Sequence, residues 1–179
     1  FLRLCSVKYY HLSRFHSVQK YFIAQAGKPA KDEGHGISVF GMVNEKSESK
    51  LFPIERTPVL KHRSRGTVSM VNNGRNEHGS QFLITLADDC DYLNGKHCVF
   101  GEVSEDPQNM IDTFNKCITD PKTNEPIQDI RILHTVVLYD PFVNEVEDLP
   151  AHFSNLSSIV KKLGRPMSPT IDETVRILK

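Results

Sequence analysis

Three side chains that can hydrogen bond without a fixed charge, Asn72, Gln81 and His97, fall close together in the middle of the chain. They lie in the stretch GTVSMVNNGRNEHGSQFLITLADDCDYLNGKHCVFGEV, Gly66 to Val103. Apolar runs flank them on both sides, a polar glycine-studded loop separates two of the runs, and Asn94-Gly95 is a tight-turn signal. An asparagine, an amide and an imidazole on the rim of a shallow apolar pocket suit a proline ring and the peptide bond before it. A charged metabolite would fit such a surface poorly.

Other chemistries are poorly served. Gly34, Gly36 and Gly41 do not spell G-x-G-x-x-G, and ISVFG after Gly36 reads as a strand, so no helix N-terminus is expected there to hold a pyrophosphate. Eight histidines form no H-E-x-x-H set, and no C-x-x-C accompanies them, so they read as surface or hydrogen-bonded core residues and no metal is expected. Ser80 follows Gly79 without the G-x-S-x-G elbow of a hydrolase nucleophile. Lys61, His62, Arg63 and Arg65 read as a solvated basic strand end. Ser168-Pro169 reads as loop punctuation, and Met42, Met70 and Met110 as core filler.

Size and composition bound the rest. At 179 residues one domain with a short appendage is the default. A hydrophobic fraction of 39% supports a core, and a formal net charge of zero with a pI near 7.2 argues against a nucleic-acid footprint in this stretch. Cys5, Cys90, Cys98 and Cys117 form no dense framework and read as free thiols of a reducing compartment. No run approaches the roughly 18 apolar residues of a membrane helix, and FLRLCSVKYYHLSR lacks the layout of a secretory signal.

The elements that would position the rim residues are mostly short strands. Phe1, Leu4 and Cys5 keep helical spacing. Strands are predicted over Arg14 to Gln19, Phe22 to Ala26, Gly66 to Asn72, Ser80 to Leu86, His97 to Val103 and Ile130 to Tyr139, and more weakly over Val39 to Val43 and Leu51 to Ile54. Residues 27–38 are loop by composition. A helix is predicted from Asp106 as cap and Pro107 as first residue, with Met110, Ile111, Phe114 and Cys117 on one face. This pattern is mainly β, a barrel or sandwich with about two helices. From Val143 the character changes: Glu145, Glu147 and Asp148 are acidic, prolines interrupt, and Thr170 with Glu173 has the spacing of a helix capping box. Residues 143–179 therefore read as a partly helical or disordered extension of a 1–142 domain.

FHSVQKYFIAQAGKP, GTVSMVNNG, HGSQFLIT and YLNGKHCVFGEV, in this order over residues 1–142, resemble the cyclophilins, a family of peptidyl-prolyl cis-trans isomerases. The ending QDIRILHTVVLYDPF and the pocket substitutions are similar to the nuclear subfamily that carries an RNA-recognition motif downstream. The resemblance implies a mainly β fold, a cyclophilin-like antiparallel β-barrel with two helices, with its two N-terminal strands lying before Phe1. A barrel short of two strands has unpaired edges and an open core, so the chain from Phe1 to Lys179 alone is expected to be poorly soluble.

Carried over residue by residue, the resemblance places Phe22 and Ile23 at the pair lining the proline pocket. Gln25 falls on the motif glutamine, Asn72 on the asparagine that bonds the substrate backbone, and Gln81 on the second pocket glutamine. Leu93 and His97 match the pocket leucine and the rim histidine. Val71 replaces a smaller alanine, Leu83 a phenylalanine at the pocket floor, and Tyr92 the tryptophan associated with cyclosporin binding. The largest departure is Ser17: the family's FHR motif has its catalytic arginine there, and this chain reads FHS. The implied activity is isomerisation of X-Pro bonds in proteins, weakened by Ser17, without cofactor or metal. The alternative is a non-catalytic module binding proline-containing segments in nuclear RNA-processing, spliceosomal assemblies. RNA itself would be bound only through a domain beyond Lys179, since no RNA-recognition signature occurs in the chain. A nuclear location is implied, with no membrane association.

Overall fold

The computed structural model describes residues 1–28, 34–43, 50–55, 57, 59–141 and 176–178, the last three and Phe40 and Val43 by their backbone alone. In chain order the elements are α1 (Leu2–Ser6), β1 (Ser13–Arg14), β2 (Ser17–Gln19), β3 (Ile23–Ala26), α2 (Val39–Val43), β4 (Phe52–Pro53), β5 (Thr67–Asn72), β6 (Glu77–Thr85), the 3₁₀ turn η1 (Asp91–Leu93), β7 (Cys98–Glu105), α3 (Met110–Lys116), β8 (Arg131–Ile132) and β9 (Arg176–Leu178). All pairings are antiparallel. Seven strands form one sheet in the order β2-β3-β6-β5-β7-β9, with β4 also on β6, and β1 pairs with β8.

Side chains alternate across a strand, and here both faces of the central strands are covered. Ala24, Ala26, Val68, Met70, Phe82 and Ile84 enter the main core with Leu4 and Cys5 of α1 and Ile111 and Phe114 of α3. Their neighbours Ile23, Val71 and Leu83 enter a second, smaller cluster with Cys90 and Leu93. Strands buried on both faces read as continuous apolar runs, as TVSMV and SQFLIT do. Burying each large apolar side chain contributes about 1.5–3 kcal/mol. The two predicted helices packed on the main core are α1 and α3.

Ser80 is a packing residue rather than a nucleophile. It is fully buried, its Oγ donates to the Gly27 carbonyl (2.8 Å), and the Tyr9 and Tyr10 hydroxyls reach its Oγ (3.0 Å) and carbonyl (2.8 Å). A Cβ on Gly79 would stand 2.5 Å from the His35 carbonyl oxygen, so the glycine is required for this close approach.

Several elements depart from expectation. Val39–Val43 is helical, not extended: the Ser38 hydroxyl accepts the Gly41 N–H (3.1 Å) and the Ser38 carbonyl that of Met42 (3.0 Å), a local cap that outweighs β-branched propensity. The predicted strand Arg14 to Gln19 splits in two because its partner changes: the Phe15 N–H goes to Ile130 and the His16 N–H to Gln25. Asp106 does cap α3, its carboxylate accepting the amides of Met110 (2.6 Å) and Ile111 (3.0 Å), but Pro107 precedes the helix, whose N-cap is Asn109 in the left-handed region.

At the C-terminal end, the strand predicted over Ile130 to Tyr139 is reduced to Arg131–Ile132. Beyond it side-chain bonds replace a ladder, with the Thr135 hydroxyl donating to the Cys5 carbonyl (3.0 Å) and Lys8 Nζ to the Thr135 carbonyl (2.6 Å). Arg176–Leu178, which followed a predicted helix cap, is instead extended and paired with β7. Thr170, Glu173, Ser168-Pro169 and the acidic stretch lie outside the described residues.

Candidate functional site

The second cluster lies on the face of the sheet opposite the main core. The sheet register explains why. Ser17 pairs with Gln25, Gln25 with Leu83 and Leu83 with Ser69, so one row of side chains crosses four strands on one face. Two residues along β6 from Leu83, Gln81 shares that face, and two along β3 from Gln25 so does Ile23. A register shift between Met70 and Asn72 interrupts the β5–β6 ladder at Val71. Such a bulge re-aims the strand where it leaves the sheet, and it does so at the edge of the pocket.

Leu83 is wholly buried at the floor, with Ile23, Val71 and Leu93 nearly so. Phe22, held in a turn by its N–H to the Gln19 carbonyl (3.1 Å), packs on the cluster and stands 4.8 Å, ring centre to ring centre, from Tyr92. Tyr92 is 54% exposed and forms the outer lip. Aromatic faces at this separation gain from edge and offset contacts beyond simple area burial.

The polar rim is tightly bound. His97 Nδ1 accepts the Asn72 backbone N–H (3.1 Å), which leaves the ring's proton on Nε2. Asn72 Nδ2 donates to the Lys96 carbonyl (2.8 Å), and its Oδ1 accepts the N–H groups of Gly74 (2.8 Å) and Asn76 (3.2 Å). The Asn72 side chain thus shapes the 73–76 loop and ties it to the turn before β7. Gln81 Nε2 donates to the Gly34 carbonyl (2.9 Å), fastening the preceding loop to the pocket edge. Burial holds His97 below its ordinary range, so the imidazole is neutral at pH 7. Burial also pushes the Cys90 thiol up, so the cysteine in the pocket wall stays protonated and packs as an apolar group.

Of the sequence-predicted site residues, Phe22, Ile23, Val71, Leu83 and Leu93 meet in the second cluster, Tyr92 packs on Phe22, Gln25 shares the row of Leu83, and Asn72 bonds His97. Ser17 stands on β2, half-buried and next to Gln25. The nearest sequence arginine, Arg14, is engaged elsewhere, by Glu125 (2.8 Å) and Asp129 (3.2 Å). Arg75 lies exposed on the loop after Asn72. Ser17 thus places a short neutral hydroxyl at the β2 end of the row.

Sequence reasoning missed Cys90 as a wall residue and misplaced His62. Instead of joining Lys61, Arg63 and Arg65 in solvent, His62 is fully buried. It bonds Asn94 Oδ1 through Nδ1 (2.9 Å) and Ser69 Oγ through Nε2 (2.7 Å). Residues 61–63 have no regular structure, so no periodicity marked one of them as inward-facing. The Asn94-Gly95 signal does mark a turn, with the N–H groups of Lys96 and His97 on the Leu93 carbonyl (both 3.1 Å), but it closes η1 rather than a two-residue hairpin.

Residues 1–137 match the family described as cyclophilin type peptidyl-prolyl cis-trans isomerase/CLD. The human protein named peptidyl-prolyl cis-trans isomerase-like 4 is 49% identical over 142 residues, 79% of this chain and 28% of that protein. The Caenorhabditis elegans peptidyl-prolyl cis-trans isomerase sig-7 is 43% identical over 143 residues, 79% of this chain and 33% of that one. The chain thus spans a third or less of the length of these curated relatives. A Cryptosporidium parvum cyclophilin type peptidyl-prolyl cis-trans isomerase, crystallised in the presence of the dipeptide Ala-Pro, superposes with a TM-score of 0.65 at 33% identity, covering 78% of this chain and 83% of its own. The resemblance carried by four sequence blocks is therefore matched at the level of the fold, and the chain belongs to the cyclophilin-type peptidyl-prolyl cis-trans isomerase family.

Proposed function

We propose that this domain binds proline-containing segments of proteins and isomerises the X-Pro bond only slowly. The observation that carries the reading is the row Ser17–Gln25–Leu83, in which an intact apolar floor lies beside a serine where the family has its arginine.

The chemistry sets the size of the effect. Conjugation gives the amide C–N bond a rotation barrier of about 18–20 kcal/mol, and the uncatalysed X-Pro exchange takes tens to hundreds of seconds. No covalent step is needed. A pocket that grips the proline ring and favours the twisted amide over the planar one lowers the barrier. A guanidinium aimed at the twisted nitrogen would add a charge-assisted bond that exists only as conjugation is lost. Serine is too short and carries no charge. Loss of one preorganised donor costs about 10²–10³ in rate, whereas the grip of Phe22, Ile23, Val71, Leu83 and Leu93 does not depend on it.

The test pairs two measurements on one preparation of full-length protein: affinity for an Ala-Pro peptide by NMR titration, and isomerisation by a protease-coupled assay. Binding with turnover about 10²-fold or more below an active cyclophilin is expected. Rates equal to an active cyclophilin would overturn the slow-turnover reading, and absence of peptide binding would overturn the pocket itself.

A nuclear location and partners among RNA-processing proteins belong to the same proposal, supported by the similarity of QDIRILHTVVLYDPF to the nuclear subfamily. Fluorescence localisation of the full-length protein with identification of co-purifying proteins tests them, and a purely cytoplasmic signal would refute the nuclear placement.

A further inference from the structure

Among the described residues, His62 bonds both to η1 and to β5. Its backbone carbonyl accepts the Cys90 N–H (2.9 Å), and its backbone N–H donates to Asn94 Oδ1 (2.8 Å). Cys90 is the N-cap and Asn94 the C-cap of η1. One residue thus holds both ends of the single turn that carries Tyr92 and Leu93. Its ring completes the link, with Nδ1 on Asn94 Oδ1 and Nε2 on Ser69 Oγ. Ser69 lies in β5, cross-strand from Leu83 at the pocket floor.

The proton positions follow from the neighbours. Asn94 Nδ2 donates to Asp91 Oδ1 (2.7 Å), which fixes the amide with its oxygen toward His62. That oxygen can only accept, so Nδ1 carries the imidazole proton and Nε2 takes the Ser69 hydroxyl proton. Burial holds His62 below the ordinary histidine range, which keeps this neutral pattern at physiological pH.

We propose that His62 is a positioning residue of the pocket, which sets the distance between the Leu93–Tyr92 wall and the β5–β6 floor by joining both caps of η1 to Ser69. The inference rests on the proline-pocket reading above. A short 3₁₀ turn has poor internal hydrogen bonding, and η1 has no side-chain cap bond of its own. Its placement therefore depends on outside partners.

Two substitutions separate this role from filling core space. In His62→Asn the amide nitrogen takes the place of Nδ1 and keeps the donor to Asn94. In His62→Gln the amide reaches the Nε2 position, keeps Ser69 and loses the side-chain bond to Asn94, while the backbone bonds to both caps of η1 remain. The measurement is affinity for an Ala-Pro peptide by NMR titration, at a temperature where thermal melts show each variant fully folded. Each substitution cuts the link at one end, so both are expected to bind about tenfold more weakly than the parent. Asn94→Ala removes the Nδ1 bond together with the one from the His62 backbone N–H, and is expected to bind at least as weakly as His62→Gln. The double variant His62→Gln/Asn94→Ala should be no weaker than Asn94→Ala alone, because Asn94→Ala already removes the bond that His62→Gln removes, whereas loss of core filling would add. Variants that all bind like the parent, or additive losses in the double variant, would overturn the proposal. Failure of the parent itself to bind peptide would instead defeat the pocket reading on which it rests.

Discussion

Along β5 and η1, the polar groups around the pocket are tied to one another: Asn72 to His97 and Lys96, His62 to Asn94 and Ser69, all at 2.7–3.1 Å. Across the pocket, β2 is the edge strand of its sheet, its outer side met by a bond from the Val18 N–H to the Asn124 carbonyl (2.7 Å), and Ser17 stands there half-buried. The first side shapes the space a proline ring would enter. The second is where a charge would act on the twisted amide. A change at Ser17 leaves the main core and the pocket floor untouched, because neither cluster includes it. Under the proposed function, grip on the peptide and turnover call on different strands, so one could weaken without the other.

The largest expected effect breaks the first side. Leu83 is fully buried at the floor, so Leu83→Ala should lower unfolding stability by about 2–5 kcal/mol. Urea denaturation measures this, and a loss under 1 kcal/mol would mean that the second cluster contributes little to the fold. Next, Ser17→Arg should raise the isomerisation rate about 10²–10³-fold with little change in peptide affinity, read by the protease-coupled assay and NMR titration. An unchanged rate with normal binding would show that the pocket does not present the amide nitrogen to the β2 edge.

A smaller, graded effect separates the two sides by pH. Burial is the leading cause that holds His62 and His97 below the ordinary value of 6.5. The folded chain then stays neutral where the unfolded chain takes up protons. Stability from these groups is therefore complete above about pH 6.5, declines as pH falls through that value, and levels once the folded-state values are passed. His16 and His78 shift in the same direction, also chiefly through burial, so His62→Asn should remove only part of the slope. Urea midpoints from pH 7.5 to 5 check this, and a rise in stability on acidification would contradict it. Smallest is Tyr92→Ala, which removes a half-exposed lip and should change stability by no more than about 0.5 kcal/mol while weakening peptide binding a few-fold.

The strands that carry most of the candidate site were legible in the sequence because they follow clear patterns. GTVSMVN and SQFLIT announced β5 and β6. What escaped notice lay where local pattern carries no information on direction. His62 occupies irregular chain among basic neighbours, and only its distance to Asn94 and Ser69 shows it to be inside. Val39–Val43 was misread because a single serine cap decided its conformation. The strand expected up to Tyr139 needed a partner that composition cannot supply. The partners of Arg14, Glu125 and Asp129, lie more than a hundred residues away along the chain.

By itself the sequence determined the family and the central strands, because both depend on residue type in a fixed local order. Only the tertiary structure decided which groups share a face and which are joined. The row from Ser17 to Ser69 comes from register across four strands, and the clamp on η1 from a buried imidazole reaching both its caps. Hydrogen bonds and burial act across space, between residues whose separation along the chain carries no record of their contact.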